Sequence, residues 1–276
     1  MLKIIQINVF KFTYFDKLLQ FLREQNADII NIQEATTSEI IEFCSGKYLD
    51  QLASELGMQV IYSPFTAMES EEGKLDWFGN AILTKLEVLD FGTVWFRNSN
   101  NQPGVISYQS MQKLEEAIKT NRNLAYPIVY REPKNLIWTL LKYNGQLLRN
   151  ITTHFTATQK CTETLQMIQE AENVCDFVNN SKKIPTIFSG DLNIHQQASC
   201  IQNLKSNLNL VNAGSTNTLS PSNHPIFLPK YQQMDPSISN GLSVDYVFQK
   251  GFKVINWDIP ELGISDHLPI VVELEM

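Results

Sequence analysis

Asp191 and Asn193 stand two residues apart in the stretch Thr-Ile-Phe-Ser-Gly-Asp-Leu-Asn-Ile-His, residues 186–195, directly after the apolar run Ile184 to Phe188. A carboxylate and an amide projecting together from a strand end can handle a phosphate, a metal or an attacking water. They share a side only if the backbone stays extended. Gly-Asp and Asp-x-Asn also form ordinary turns, so the pair gains meaning from its company. Asn8, Glu34, Asn80, His154, Asp245, Asp266 and His267 likewise fall at the ends of, or within, apolar runs. Each has a plain structural reading. Asn8 suits a turn, Asp245 a charge on a sheet edge, His154 a hydrogen-bonded core position and Ser265-Asp266-His267 a turn. As a set they are harder to dismiss, because charges withdrawn from water are costly unless paired or metal-bound.

The elements that must position these groups follow from the pattern of apolar residues. Leu2 to Phe10 reads as a buried strand, Asp16 to Gln25 as a helix and Ile29 to Gln33 as a second strand. Strand, crossover helix and strand favour neighbours in one sheet, with Asn8 and Glu34 at the strand ends where α/β sheets hold ligands. Ser38 to Leu56 reads as a helix broken near Gly46, Val60 to Ser63 as a short strand and Thr66 to Lys74 as a surface loop. Gly79 to Lys85 and Glu87 to Phe96 are two further strands. Residues 98–135 read as an insertion over one end of the sheet, carrying a short amphipathic helix from Ser107 to Lys119.

Leu136 to Leu141 and Leu147 to Thr153 flank Asn144-Gly145, a hairpin signal. Thr162 to Asn179 is a helix, 184–188 a strand broken by Ser189 and Gly190, and 196–207 a helix. Residues 213–243 are Ser-, Asn- and Pro-rich, a long loop near the site. Ser243 to Gln249 and Leu268 to Glu275 close the chain as strands. No Pro/Gly/Ser linker divides it, so one domain is expected over 1–276.

Composition sets bounds. The 276 residues are 43% hydrophobic, enough for a substantial core. A net charge of −7 argues against a broad sequence-blind grip on nucleic acid and against attachment to an anionic membrane. No apolar stretch is long enough to span a bilayer, and the N-terminal apolar run is too short for a secretory signal. Cys44, Cys161, Cys175 and Cys200 are widely spaced, which suits reduced thiols and a cytoplasmic protein.

The motifs Ile7-Asn8, Ile32-Gln33-Glu34, Gly79-Asn80-Ala81-Ile82-Leu83, Thr153-His154, Ser189-Gly190-Asp191-Leu192-Asn193, Val244-Asp245-Tyr246-Val247 and Ser265-Asp266-His267-Leu268-Pro269 span nearly the whole chain. In that order they resemble the endonuclease/exonuclease/phosphatase superfamily, which includes DNase I, abasic-site endonucleases, sphingomyelinases, inositol polyphosphate 5-phosphatases and deadenylases. The resemblance implies a four-layer α/β sandwich, two packed, mostly antiparallel sheets flanked by helices. It implies metal-dependent hydrolysis of a phosphate ester by in-line attack of water, with Mg²⁺ as the cofactor and Mn²⁺ as an alternative. Glu34 is then the direct metal ligand, with Asn8 and Asp266 supporting the metal directly or through water. His267, held by Asp245, is one candidate base and Asp191 the other. Asn193 would hold a phosphate oxygen or the nucleophile, and a protonated His154 would donate to a non-bridging oxygen. Asn80 has two equal readings, substrate contact and packing between strands.

Many nucleases of the family carry Asp two residues after the Asn8 position, where this chain has Phe10. The abasic-site branch carries tyrosine near His154, and no Trp-x-Pro-x-Trp-x-Asp stretch like that of the 5-phosphatases is present. The leading expectation is a monomeric phosphodiesterase or nuclease acting on a phosphate ester, with short or single-stranded nucleic acid as one substrate class. Lys85, Arg97, Arg122 and Arg131 could form a local basic groove, and Trp77, Phe78, Trp95 and Phe96 could stack on bases or lipid. The alternatives are a phosphatase or lipid-headgroup phosphodiesterase and, in another class, an inactive module that binds phosphorylated ligands or proteins.

Overall fold

The computed structural model describes residues 1–36, 48–96, 102–120, 133–158, 161–180, 183–215, 217–224, 227 and 241–276. The described strands are β1 (Leu2–Asn8), β2 (Ile29–Thr36), β3 (Gln59–Glu69), β4 (Leu75–Thr84), β5 (Glu87–Trp95), β6 (Gly104–Ile106), β7 (Asn135–Tyr143), β8 (Gln146–His154), β9 (Thr186–Asp191), β10 (Asn209–Leu210), β11 (Asp245–Lys250), β12 (Lys253–Asp258) and β13 (Ile270–Glu275). The α-helices are α1 (Phe15–Gln25), α2 (Tyr48–Leu56), α3 (Tyr108–Thr120), α4 (Leu165–Asn179) and α5 (Ser199–Asn207). A seven-stranded sheet runs β12-β13-β1-β2-β4-β3-β6, and a six-stranded sheet runs β10-β11-β9-β8-β7-β5. The pairs β1–β2, β3–β6 and β8–β9 are parallel; the other neighbours are antiparallel.

Each sheet is built on one strand–helix–strand crossover, β1–α1–β2 in the first and β8–α4–β9 in the second. Parallel neighbours need such a crossover, and it sends both strands in the same direction. α1 and α2 cover the outer face of the first sheet through Leu18, Leu22 and Leu52 against Ile5, Ile7, Ile30 and Ile32. α4 and α5 cover the second through Val174, Val178 and Ile201 against Ile151, Phe188 and Phe248. Leu2, Ile4, Ile29, Leu148, Ile187 and Val247 fill the space between the sheets. The result is four layers, as the resemblance implies. Among the described residues no helix is long and apolar enough to cross a membrane, and Cys175 and Cys200 are free thiols.

Between the sheets the character of the side chains changes along the strands. β1 turns inward Leu2 and Ile4, then Gln6 and Asn8; β9 turns inward Ile187, then Ser189, then Asp191. The middle of the sandwich is a buried amide layer. Asn31 Nδ2 donates to Asn150 Oδ1 at 3.0 Å and to Ser189 Oγ at 2.8 Å, and Asn150 Nδ2 returns a bond to Asn31 Oδ1 at 2.7 Å. Gln33 Nε2 donates to Thr152 Oγ1 at 2.8 Å. Paired amides tie one sheet to the other and fix the register in which the ionisable strand ends meet.

Several sequence expectations are corrected. β9 does not break at Ser189 and Gly190 but continues to Asp191. Gly190 is there because β8 comes close: a Cβ on it would lie 2.2 Å from the Thr153 carbonyl oxygen. β3 runs on through Glu69, so Thr66 to Glu69 is strand; it is paired on both sides, by β4 and by β6. β1 ends at Asn8, and Phe10 and Lys11 take left-handed backbone at φ 44° and 57°. β6 and β12 were not anticipated. The Asn144-Gly145 hairpin forms as expected, with both residues at positive φ, 50° and 81°. The expected break near Gly46 and most of the 121–132 and 225–240 segments lie outside the described residues.

Gly190→Ala therefore costs about 3 kcal/mol or more, because the clash is with backbone. Gly214→Ala, with nothing near its Cβ and φ +84°, costs about 1 kcal/mol from the backbone alone. Urea denaturation of both variants checks this ordering; equal losses would contradict it.

Candidate active site

Asp191 closes β9 in register with His154 on β8 and with Asp245 on β11. Three side chains converge on its Oδ2: Asn8 Nδ2 at 3.1 Å, His154 Nε2 at 3.5 Å and His267 Nε2 at 3.7 Å. Its Oδ1 accepts the backbone N–H of Asn193 at 3.0 Å. Asn193 lies in the left-handed region at φ 52°, so the extended backbone assumed for the Asp191/Asn193 pair is not present. The chain turns at Asn193 instead, and its Nδ2 donates to the Phe155 carbonyl at 3.1 Å. Asn193 thus meets Asp191 through its backbone N–H in a turn, not through a shared strand face.

The Ser265–His267 turn is tied to β1. Ser265 Oγ donates to the Asn8 carbonyl at 2.6 Å, and the His267 N–H donates to Ser265 Oγ at 3.2 Å. This places His267 Nδ1 2.8 Å from Asp245 Oδ2, leaving Nε2 to face Asp191. Asp245 Oδ1 is buried with no hydrogen-bond partner. Burial alone would lower the pKa of His267, but the carboxylates of Asp245, Asp191 and Asp266 outweigh it and hold the imidazole well above its ordinary value. Burial raises Asp191 to about 7, even though the His267 charge and the bonds from Asn8 and Asn193 pull it down. His154 goes the other way. Burial, then the charges of Lys134 and His267, depress it well below the ordinary histidine value. Burial and these two charges thus act against the protonated His154 that the resemblance implies, and a bound anion would act in its favour.

Glu34 is half-buried and sits at a register shift in the β2–β4 ladder, at φ 55°. A bulge with left-handed backbone re-aims a side chain out of the strand's regular alternation. No hydrogen bond or ion pair with a described residue engages its carboxylate. Burial raises Asp266 to about 6, and the charge of Glu34 adds to that rise while His267 opposes it. Two donor groups of three could hold a metal ion: Asp191, Asp245 and His267, and His224, Asp266 and His267. The unsatisfied Asp245 oxygen, the unengaged Glu34 carboxylate and the mutual repulsion of Glu34 and Asp266 all fit a site that receives a cation. Asn8 is engaged with its neighbours, its Oδ1 accepting the Phe10 N–H at 3.0 Å.

Of the anticipated residues, Asn8, His154, Asp191, Asn193, Asp245 and His267 are joined by direct contacts, and Asp266 and Glu34 by their charges. Asn80 is fully buried and donates to Asn135 Oδ1 at 3.1 Å, which supports packing over substrate contact. Lys85 donates to Asn26 Oδ1 at 2.5 Å, at the end of β2 opposite Glu34, so it does not belong to a groove at the site. Arg97, Arg122 and Arg131 lie outside the described residues. Phe78 and Phe96 are buried, while Trp77 and Trp95 are half-buried. Two residues were missed. His224 Nε2 lies 3.8 Å from Asp266 Oδ2; the scarcity of histidine, four in the chain, is the only signal that marked it. Lys134 is buried with Nζ 4.1 Å from the Phe65 ring centroid, and the same ring meets His154 edge-on at 5.8 Å; nothing in its local sequence distinguishes it.

No protein-family model matches the sequence, and no curated protein does. Solved structures do match in shape. An endonuclease/exonuclease/phosphatase protein from Bacteroides vulgatus superposes with a TM-score of 0.68 at 15% identity, covering 100% of this chain and 98% of that one. A mannosyl-6-phosphatase from Bacteroides thetaiotaomicron gives 0.65 at 14%, covering 100% of both chains. The human nocturnin catalytic domain with bound sulfate gives 0.64 at 15%, covering 99% and 93%. The chain thus has the endonuclease/exonuclease/phosphatase fold, the DNase I-like sandwich.

The shifts make stability depend on pH in a defined direction. Asp191 and Asp266 bind a proton more tightly folded than unfolded, so their contribution falls as pH rises from the unfolded carboxylate range to about 7 and about 6. His267, raised, contributes fully below its unfolded value and loses that contribution as pH passes its folded value. His154, lowered, opposes them only up to its ordinary value of 6.5. Between pH 6.5 and 8 the cation-free protein therefore loses stability, by about 1 kcal/mol or more, which is about 2–4 °C in Tm. Thermal denaturation in EDTA measures this, and a Tm that rises over that interval would contradict it.

Proposed function

We propose that this chain is a single-domain, divalent-metal-dependent phosphoesterase that hydrolyses a phosphodiester by in-line attack of water. The observation that carries the proposal is the convergence of Asn8, His154 and His267 on one oxygen of the buried Asp191, within 3.7 Å. A purely structural carboxylate has no need of two histidines whose proton affinities are pushed in opposite directions.

In this reading Glu34 and Asp266 hold the cation, with Asn8 supporting them, and Mg²⁺ or Mn²⁺ would supply charge neutralisation on the phosphate and on the leaving oxygen. Asp191 and His267 share the handling of the water proton. Asp191, raised to about 7, suits proton acceptance near neutral pH, and Asn193 N–H and Asn8 Nδ2 fix the orientation of its carboxylate. His267, kept protonated by Asp245, is placed to donate toward a non-bridging oxygen or to return a proton to the leaving group. If substrate binding deprotonates His267, the same geometry makes it the base, with Asp245 fixing its tautomer. An incoming phosphate brings negative charge beside His154 and Lys134. It thereby raises the His154 pKa, and a protonated His154 then stabilises charge that builds in the transition state. The backbone turn at Asn193 and the Phe155 carbonyl hold the Asn193 amide group in place directly after β9.

A phosphomonoesterase reading is favoured by one observation, the match in shape to the mannosyl-6-phosphatase. Nocturnin carries a sulfate anion on the same fold, which accords with an oxyanion-binding pocket in either reading.

Hydrolysis of bis-p-nitrophenyl phosphate and p-nitrophenyl phosphate, run side by side with Mg²⁺, Mn²⁺ and EDTA, separates these readings. The proposal expects release from the diester that EDTA abolishes and that His267→Ala lowers about 10²–10⁴-fold. Release from the monoester alone would establish the phosphatase instead. No turnover of either ester, together with no binding of either cation, would leave the inactive binding module.

A further inference from the structure

His224 comes from a stretch with no readable periodicity, yet the fold holds it firmly. The turn that carries it is held to the Ser265–Leu268 segment by three hydrogen bonds. Ser220 N–H donates to the Asp266 carbonyl at 2.8 Å and Leu268 N–H donates to the Thr218 carbonyl at 2.7 Å, which together make the Leu219–His267 bridge, and Asn223 Nδ2 donates to the Ser265 carbonyl at 3.0 Å. The His224 N–H itself donates to the Ser220 carbonyl at 2.9 Å. Its ring is wedged edge-to-face between Phe227 at 6.2 Å and His267 at 5.9 Å, and the side chain is only 13% exposed.

The Nε2 of this fixed ring faces Asp266 Oδ2 at 3.8 Å, too far for a direct hydrogen bond. One donor atom each from His224, Asp266 and His267 lie within 4.8 Å of one another. Two ligands of one small cation, each about 2.1 Å from it in tetrahedral geometry, stand about 3.4 Å apart, a few tenths of an ångström less than this pair. The donor chemistry is also informative. Mg²⁺ takes oxygen ligands and gives up water reluctantly, whereas imidazole favours transition-series ions.

We propose that His224 is a direct ligand of the cation held at Asp266, and that this imidazole–carboxylate pair makes the site select Mn²⁺, Co²⁺ or Zn²⁺ over Mg²⁺. The inference rests on the metal-dependent reading above and adds to it which ion the site prefers and which residue confers the preference.

The test is cation binding by the full chain, stripped with EDTA and dialysed. Mn²⁺ is titrated by electron paramagnetic resonance of the free ion, Mg²⁺ by its competition with Mn²⁺, and Co²⁺ by its visible absorption. Wild type is compared with His224→Ala, His224→Gln and Glu34→Gln, with circular dichroism confirming the fold. The wild type is expected to bind Mn²⁺ more tightly than Mg²⁺. His224→Ala is expected to weaken Mn²⁺ about 10–100-fold, to leave Mg²⁺ nearly unchanged and to alter the Co²⁺ spectrum. His224→Gln carries the comparison if the alanine variant does not fold. Equal weakening of both ions, no weakening, or an altered substrate KM with unchanged Mn²⁺ affinity would each overturn the inference while leaving the metal-dependent reading intact. If the wild type bound no divalent cation, that reading itself would fail. Loss of both ions in Glu34→Gln shows that the titrations report this site.

Discussion

A carboxylate taken out of water must be met by donors or opposite charge, and Asp191 is 1% exposed. Much of the sandwich can be understood as meeting that requirement. β1 supplies Asn8, β8 supplies His154, β11 supplies Asp245 for His267, and the turn before β13 supplies His267 itself. These elements come from both sheets, so the distances at Asp191 hold only if the sheets keep their relative register. The amide layer of Asn31, Gln33, Asn150 and Thr152 holds it, one turn of the pleat below the ionisable groups. Along each strand the inward side chains pass from apolar to amide to ionisable. Desolvation cost is thereby introduced stepwise, with full burial of charge reached only where several partners arrive together.

Backbone strain gathers in the same region. Glu34 takes left-handed backbone inside a bulge, Asn193 takes it directly after β9, and Phe10 and Lys11 take it directly after Asn8. None is a glycine, and such conformations persist only when the surroundings over-determine them. At Glu34 the result is a carboxylate freed from the ladder's alternation. At Asn193 it is an N–H turned back onto Asp191. The arrangement gives up stability for geometry, which is what the proposed catalytic role would require.

Local signals carried much of this in the sequence. The Asn144-Gly145 hairpin, the β1–α1–β2 unit and the amphipathic α4 each depend on residues close in the chain, and their periodicity was readable. The recurrence of polar residues at strand ends was also readable, because each apolar run stops where its last side chain reaches the site. What escaped depended on distant partners. Gly190 reads locally as a strand breaker, and only the approach of the Thr153 carbonyl reveals it as a close-packed strand residue. β6 has three residues and exists through its pairing with β3. His224 and Lys134 come from segments without periodicity, so nothing local tied either to Asp266 or to His154.

Asp191→Asn, measured for stability and turnover on one preparation, tests the central claim most directly. It removes the charge that the fold works to bury and keeps the shape. If Asp191 is the hub of a catalytic centre, kcat on a responsive phosphate ester falls about 10²-fold or more, while the cation-free Tm at pH 8 stays level or rises. A variant that keeps its turnover, or that loses activity only because it unfolds, would show Asp191 to be a structural carboxylate and would contradict the account.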